Sequence, residues 1–146
     1  MCGFAPEYGR GVPLSVWYDW KDDGPNAAER EHNFGTVRPD LSPKPAYRAA
    51  QTLTRELAGY RIVRRVGAGG DKDFVLLLAD GAGRRKLAAW TLGKPHAVSL
   101  DRLAPEGKAT GITLGGEPFT PKVVGKKLVL HLGAAPKYMT LGSGPR

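Results

Sequence analysis

The sequence predicts a mainly β protein with one helix: an antiparallel β-sandwich over residues 59–146, preceded by a strand–loop–helix unit over residues 1–58. Three observations carry this. Residues 46–57 show one clear stretch of helical periodicity, and the residues after Gly59 show short alternating strands separated by glycine turns. The charge balance also breaks there: residues 1–58 carry a net charge of −1 and residues 59–146 carry +9, for +8 overall. We place the domain boundary at 58/59.

The chain has 146 residues, 41% hydrophobic and 25% charged, enough for one ordinary domain or a small domain with an appendage. Twenty glycines and twelve prolines favour turns over long elements. No run of about 18 apolar residues exists, so the sequence predicts no membrane-spanning helix. The N-terminus lacks the basic segment and continuous apolar core of a signal peptide. Cys2, the only cysteine, has no internal disulfide partner.

In chain order, Val12–Tyr18 reads as a strand apolar on both faces, the pattern of a strand enclosed in a parallel sheet. Lys21–Pro43 is a long polar loop. Ala46, Ala49, Ala50, Leu53 and Leu57 share one helical face, Pro45 suits the first turn, and Gly59 ends the helix. Strands are then expected over Tyr60–Val66, Phe74–Ala79, Arg85–Thr91, His96–Leu100, Ala109–Leu114, Phe119–Val123, Lys126–Leu132 and Lys137–Leu141. Asp80-Gly81 with Ala82-Gly83 marks a hairpin loop. Leu128, Leu130 and Leu132 alternate against Lys127, Val129 and His131, which assigns the leucines to the core. Phe74–Leu78 is apolar on both faces and reads as a central strand with its outer side covered. An isolated two-faced strand has nothing to pack on, so residues 1–40 are expected to pack poorly beside 60–141.

Trp17, Asp19 and Trp20 are the candidate substrate-binding residues: indole faces stack on pyranose rings, and a carboxylate holds a sugar hydroxyl. If the strand alternates, Trp17 and Asp19 point one way and Tyr18 and Trp20 the other. The bland alternative is that these aromatics are core packing. Asp19, Asp22 and Asp23 form an acidic cluster of a kind that suits hard cations, but their spacing matches no calcium loop, and we assign no metal and no cofactor. Glu29, Glu31 and His32 read as a solvated loop rather than an acid/base pair. His96 and His131 have no partner at useful spacing. Gly67-Ala68-Gly69 lacks the third glycine of a dinucleotide fingerprint. Arg61, Arg64, Arg65, Arg84, Arg85, Lys86, Lys126 and Lys127 raise nucleic acid as a partner. Yet there is no aromatic platform beside them, and basic side chains also protect strand edges, so this is the weaker reading.

The segment "PLSVWYDWKDDG" followed by "EREHNFGTVRPDLSPKPAYRAAQTL" resembles the last β/α unit of a (β/α)8-barrel glycoside hydrolase of clan A. It is most similar to the cellulase-like and xylosidase-like members, families five and thirty-nine. The part ending in "KLVLHLGAAPKYMTL" resembles the small sandwich that follows such barrels, whose last strand has the form Pro-x-Tyr, here Pro136-Lys137-Tyr138. The resemblance implies a carbohydrate substrate acting through the parent barrel, packing against the rest of that barrel, and an extracellular or periplasmic location. It places Trp17, with Trp20 second, under the sugar at the cleavage point. It also implies two catalytic carboxylates at the ends of the fourth and seventh barrel strands, and neither maps onto this chain. The expected function is therefore a C-terminal fragment of a glycosidase without its catalytic glutamates. The alternatives are a non-catalytic carbohydrate-binding or structural module and a basic nucleic-acid-associated module.

Overall fold

The computed structural model describes residues 16–103 and 108–142. Val12–Ser15, most of the strand expected at the front of the chain, lie outside the described residues. The chain divides into two compact units between Gln51 and Thr52.

In the first unit Val16–Trp20 form no ladder, and the first pairing is a parallel bridge between Lys21 and Val37. Val37 also bridges Pro43 in the antiparallel sense, so the long loop is tied across its middle. Asn26 organises the stretch between: its side-chain oxygen accepts the Ala28 N–H at 3.0 Å, and Asn33 donates to the Asn26 and Glu29 carbonyls at 3.0 and 2.6 Å. A single 3-10 turn over Glu31–Asn33 follows. Poor packing was the expectation here, and Val16, Trp17, Tyr18 and Trp20 are exposed, but Asp22, Thr36 and Val37 are buried, because the chain makes its own cross-loop hydrogen bonds.

Helix α1 spans Pro45–Leu57, and Gly59 closes it with φ 78°. Ala46, Ala49, Leu53 and Leu57 are half-buried as the periodicity predicts, but Ala50 is exposed and Thr52 is the buried residue. The shift has a visible cause in the second unit. Thr52 lies against the turn at Gly116, where an added Cβ would sit 3.3 Å from the Thr52 hydroxyl.

The second unit contains nine strands among the described residues: β1 Arg61–Arg65, β2 Asp73–Ala79, β3 Arg85–Thr91, β4 His96–Asp101, β5 Ala109–Thr113, β6 Pro118–Phe119, β7 Lys122–Val124, β8 Lys127–Leu132 and β9 Lys137–Leu141. They form two antiparallel sheets, ordered β1-β2-β3-β9-β5-β6 and β4-β8-β7. The core is filled from both: Val75, Leu77, Leu87, Ala89, Met139 and Leu141 from the larger sheet meet Val98, Leu100, Leu128, Leu130 and Leu132 from the smaller. This is the predicted antiparallel sandwich, with the three leucines of β8 inward as their alternation required.

One strand expected from the sequence is two. Phe119–Val123 divides at Pro121: β6 pairs with β5 in the larger sheet and β7 with β8 in the smaller. Proline has no N–H to donate to a ladder, so pairing stops there and the chain crosses between sheets. At β5, Gly111 lies under the Phe119 ring, where a Cβ would fall 2.3 Å from the ring. Glycine is the residue that lets the ring close over the strand.

Phe74–Leu78 is central as read, held between β1 and β3. Its outward residues Leu76 and Leu78 are buried, as are Ala88 and Trp90 of β3 and Tyr138 of β9. On this face Lys86 Nζ reaches the last turn of α1, donating to the Glu56 carbonyl at 2.7 Å and to its carboxylate at 2.9 Å. Burial raises the Glu56 pKa, but hydrogen bonds from Lys86 and Arg55 outweigh it and leave the carboxyl below its ordinary value. The edge strand β1 carries exposed Arg61, Arg64 and Arg65 and a register shift between Ile62 and Arg64, both devices that discourage further strand addition.

Candidate functional site

Residues 17–22 are held by carbonyls and amides of residues 34–37. The Phe34 carbonyl accepts both the Trp17 indole N–H and the Asp19 N–H, each at 3.2 Å. The Trp20 carbonyl accepts the N–H groups of Thr36 and Val37 at 3.0 and 3.1 Å, and the Thr36 hydroxyl at 2.9 Å. Asp22 N–H donates to the Val37 carbonyl at 3.0 Å. Such close backbone approach needs Gly35, whose missing Cβ would lie 2.1 Å from Asp22 N.

The result is a short exposed aromatic run on a pinned backbone. Trp17 is 44% exposed, Tyr18 68% and Trp20 59%, and Val16 beside them is 79% exposed. Strand alternation does not place these side chains, since no ladder exists there; ring contacts do. Tyr18 meets Phe34 edge-on at 6.2 Å and Trp20 meets Tyr47 edge-on at 5.7 Å. Asp19 is half-buried and its carboxylate accepts the Trp20 N–H, which turns it back on its own backbone. The peptide between Tyr18 and Asp19 is cis. Chemically, the run offers apolar faces and N–H, O–H and carboxylate groups to a ligand that is itself both apolar and hydroxylated.

The other acidic candidates do not converge. Asp22 is buried and paired with Lys44 at 2.8 Å, and the same ammonium donates to the Asn33 carbonyl at 3.0 Å. Asp23, Glu29 and Glu31 are exposed. His32 packs under Gly24, with its Nδ1 buried and without a hydrogen-bond partner. Among the described residues, no three His, Cys, Asp or Glu side chains gather as a metal site.

The second unit holds a cluster that the spacing of its residues did not reveal. Asp73, Thr91 and His96 meet beside an open cleft of about 760 Å³ lined by residues 68–73 and 93–99 with Thr91. Thr91 donates to Asp73 Oδ1 at 2.8 Å, Gly70 N–H donates to Oδ2 at 3.1 Å, and His96 Nε2 lies 3.1 Å from the same oxygen. His96 Nδ1 lies 2.9 Å from the Lys94 carbonyl. The sequence shows no partner for His96 because Asp73 is 23 residues away; antiparallel pairing of Asp73 with Thr91 brings them together. The one available signal was position, since each of the three sits at a strand terminus.

Trp90 is 4% exposed and stacks on Phe74 with centroids 4.9 Å apart, and the Arg65 guanidinium lies over the Phe74 ring at 4.3 Å. It is a packing residue and offers no face to a glycan. Several of the basic residues are already engaged: Arg65 with the Asp71 and Asp73 carbonyls, Arg84 with Asp80, Lys86 with Glu56 and Lys127 with Asp101. No described helix is long and apolar enough to cross a membrane.

No protein-family model matches the chain, and no curated protein matches it. Among solved structures it is similar to a family 39 glycoside hydrolase from the gut symbiont Bacteroides cellulosilyticus WH2, at 29% identity with a TM-score of 0.74. The match covers 86% of this chain and 25% of that one, so the chain spans about a quarter of the length of the glycoside hydrolase it resembles.

Proposed function

We propose that this chain is the C-terminal part of a glycoside hydrolase acting on O-glycosidic bonds of oligosaccharides or polysaccharides, with Trp17, Asp19 and Trp20 contacting the sugar. The observation that carries the reading is the similarity over 86% of the chain to one quarter of a family 39 glycoside hydrolase. Residues 1–58 then correspond to the last strand, loop and helix of a (β/α)8 barrel of clan A. Residues 59–146 are its accessory sandwich. The side of barrel strands that meets substrate is their C-terminal end, which suits the exposed aromatic run at Trp17–Trp20.

Glycoside hydrolysis needs two opposed carboxylates. The acidic residues near the aromatic run are spoken for or solvent-facing: Asp22 by Lys44, Asp19 by the Trp20 amide. The catalytic pair therefore belongs to the preceding barrel units, and this chain supplies sugar contacts and packs against those units. The same resemblance favours an extracellular or periplasmic setting for the parent protein.

The coding sequence upstream of Met1 is the direct test. It is expected to encode seven β/α units with a glutamate after the fourth and seventh strands; a different domain or a stop there overturns the reading. The 146-residue chain alone should show no turnover on aryl glycosides. In the parent enzyme, Trp17→Ala is expected to lower kcat/KM about tenfold or more, or ~1.4 kcal/mol of transition-state binding. Unchanged kcat/KM in both Trp17→Ala and Trp20→Ala would remove these residues from the sugar site. The exposure of the same indoles favours a second reading, glycan binding without catalysis, in which affinity-gel retardation of the isolated chain is lost in Trp17→Ala and kept in Trp90→Phe.

A further inference from the structure

We infer that Asp73, Thr91 and His96 form a pH-dependent clasp between the two sheets of the sandwich, closed while His96 is an imidazolium and loosened when it loses its proton. Asp73 begins β2 and Thr91 ends β3, both in the larger sheet, whereas His96 begins β4 in the smaller one. The His96–Asp73 contact thus joins the sheets at the point where the chain passes between them, across residues 92–95.

The chemistry of the ring follows from its two neighbours. Nδ1 faces the Lys94 carbonyl and Nε2 faces the Asp73 carboxylate, and both neighbours are acceptors. Only the doubly protonated ring satisfies both; a neutral imidazole has one N–H and must leave one acceptor without a proton. The arrangement also leaves His96 no free nitrogen with which to act as a general base. Asp73 is 5% exposed and His96 42% exposed, so proton exchange at the ring is unhindered while the carboxylate it holds is sequestered.

The charged groups around the contact come from three parts of the sandwich. The turn before β2 contributes Asp71 and Lys72 to the cleft, and the β3–β4 connection contributes Lys94. Arg65 of β1 is held on the Asp71 and Asp73 carbonyls. The residue paired with His96 on β8 is Leu132, which does not titrate. The Lys94 carbonyl, against the opposing desolvation and together with Asp73, raises the His96 pKa above its ordinary value. The Thr91 hydroxyl foremost, then His96 and the Gly70 amide, lower that of Asp73 against desolvation.

The signs give the window. A raised histidine pKa contributes stability that is complete below the unfolded value and is lost as pH rises through the folded one. A lowered aspartate pKa contributes stability that is lost only as pH falls through the folded value. The clasp is therefore closed between the lowered folded Asp73 value and the raised folded His96 value, and opens as pH rises through the latter.

Proton NMR titration of the full chain tests it without any variant. The His96 ring should titrate with a midpoint above the ~6.5 of free imidazole, and the Gly70 and Gly93 amides should shift with the same midpoint. Gly70 bonds Asp73 and Gly93 bonds Thr91 Oγ1. In Asp73→Asn the midpoint should fall back toward the free value. Wild-type Tm should drop as pH rises through the His96 midpoint found by NMR, and His96→Gln should flatten that drop. A midpoint at or below the free value, glycine amides indifferent to it, or an equal Tm drop in His96→Gln would each overturn the clasp.

Discussion

Gly35→Ala is expected to disorder the aromatic run while leaving the sandwich folded. The added Cβ would lie 2.1 Å from Asp22 N, 2.3 Å from the Lys21 carbonyl carbon and 2.8 Å from Asp22 Oδ1. The two closest atoms are backbone, so no rotamer change relieves the clash, and the cost falls at or above the upper end of the about 1–3 kcal/mol usual for overpacking. Residues 21–22 must move away from 35–37, which breaks the Asp22 N–H to Val37 carbonyl bond at 3.0 Å and the Lys21–Val37 bridge. Trp17 and Asp19 both hang on the Phe34 carbonyl next door, so their positions are lost with it. Amide exchange at Asp22 and Val37 should accelerate, tryptophan emission should shift to the red, and any glycan affinity carried by Trp17 and Trp20 should fall. Gly81→Ala is the control, since a Cβ there meets nothing within 4 Å. Unchanged exchange at Asp22 in Gly35→Ala would show that residues 21–22 and 35–37 are not pressed together in solution.

Leu128→Ala should produce the largest loss of global stability. Leu128 is 0% exposed, pairs across β4 with Leu100, and sits in the middle of the core shared by both sheets. Truncating a leucine in such a site removes its transfer free energy and leaves a cavity, together about 2–5 kcal/mol. For a unit of this size each kcal/mol corresponds to about 4–8 °C in Tm, so thermal or urea unfolding will show it at once. Its neighbour Lys127 makes an open ion pair with Asp101 at 3.4 Å, with both side chains more than 60% exposed. Lys127→Ala should therefore change stability by less than about 1 kcal/mol. Equal losses from the two substitutions would mean that β8 does not present Leu128 to a core.

Of the two predictions, the second was reachable from the sequence, whereas the first needs the contact of Gly35 with Lys21 and Asp22. Alternation in β8 already separated Leu128, Leu130 and Leu132 from Lys127 and His131, because period two is a local property of a strand packed on one side. The helix was equally plain, since its apolar spacing and its closing Gly59 are local signals. The exchange of Ala50 for Thr52 as the buried position was not plain, because it depends on where the Gly116 turn lies. The division of one expected strand into β6 and β7 was written in Pro121, and an apolar reading of Phe119–Val123 passes over it.

The candidate site divides in the same way. Residue type, strand position and the family resemblance made Trp17, Asp19 and Trp20 candidates for sugar contact, and no amount of spacing shows that Trp17 and Asp19 share the Phe34 carbonyl. Trp90 has the same chemistry and ends buried against Phe74, so composition does not distinguish a platform from a core ring. The Asp73–Thr91–His96 cluster has no motif spacing, and its one signal in the sequence is that each residue sits at a strand terminus.

Composition and periodicity by themselves determined that this chain is mainly antiparallel β with one helix, where the turns fall and which strand faces turn inward. Those features depend on neighbours within a few residues. Which strands share a sheet, which aromatics stay in solvent and which carboxylate meets which histidine depended on contacts between residues far apart in the chain. Only the tertiary structure brings those residues within the 3 Å or so over which hydrogen bonds act.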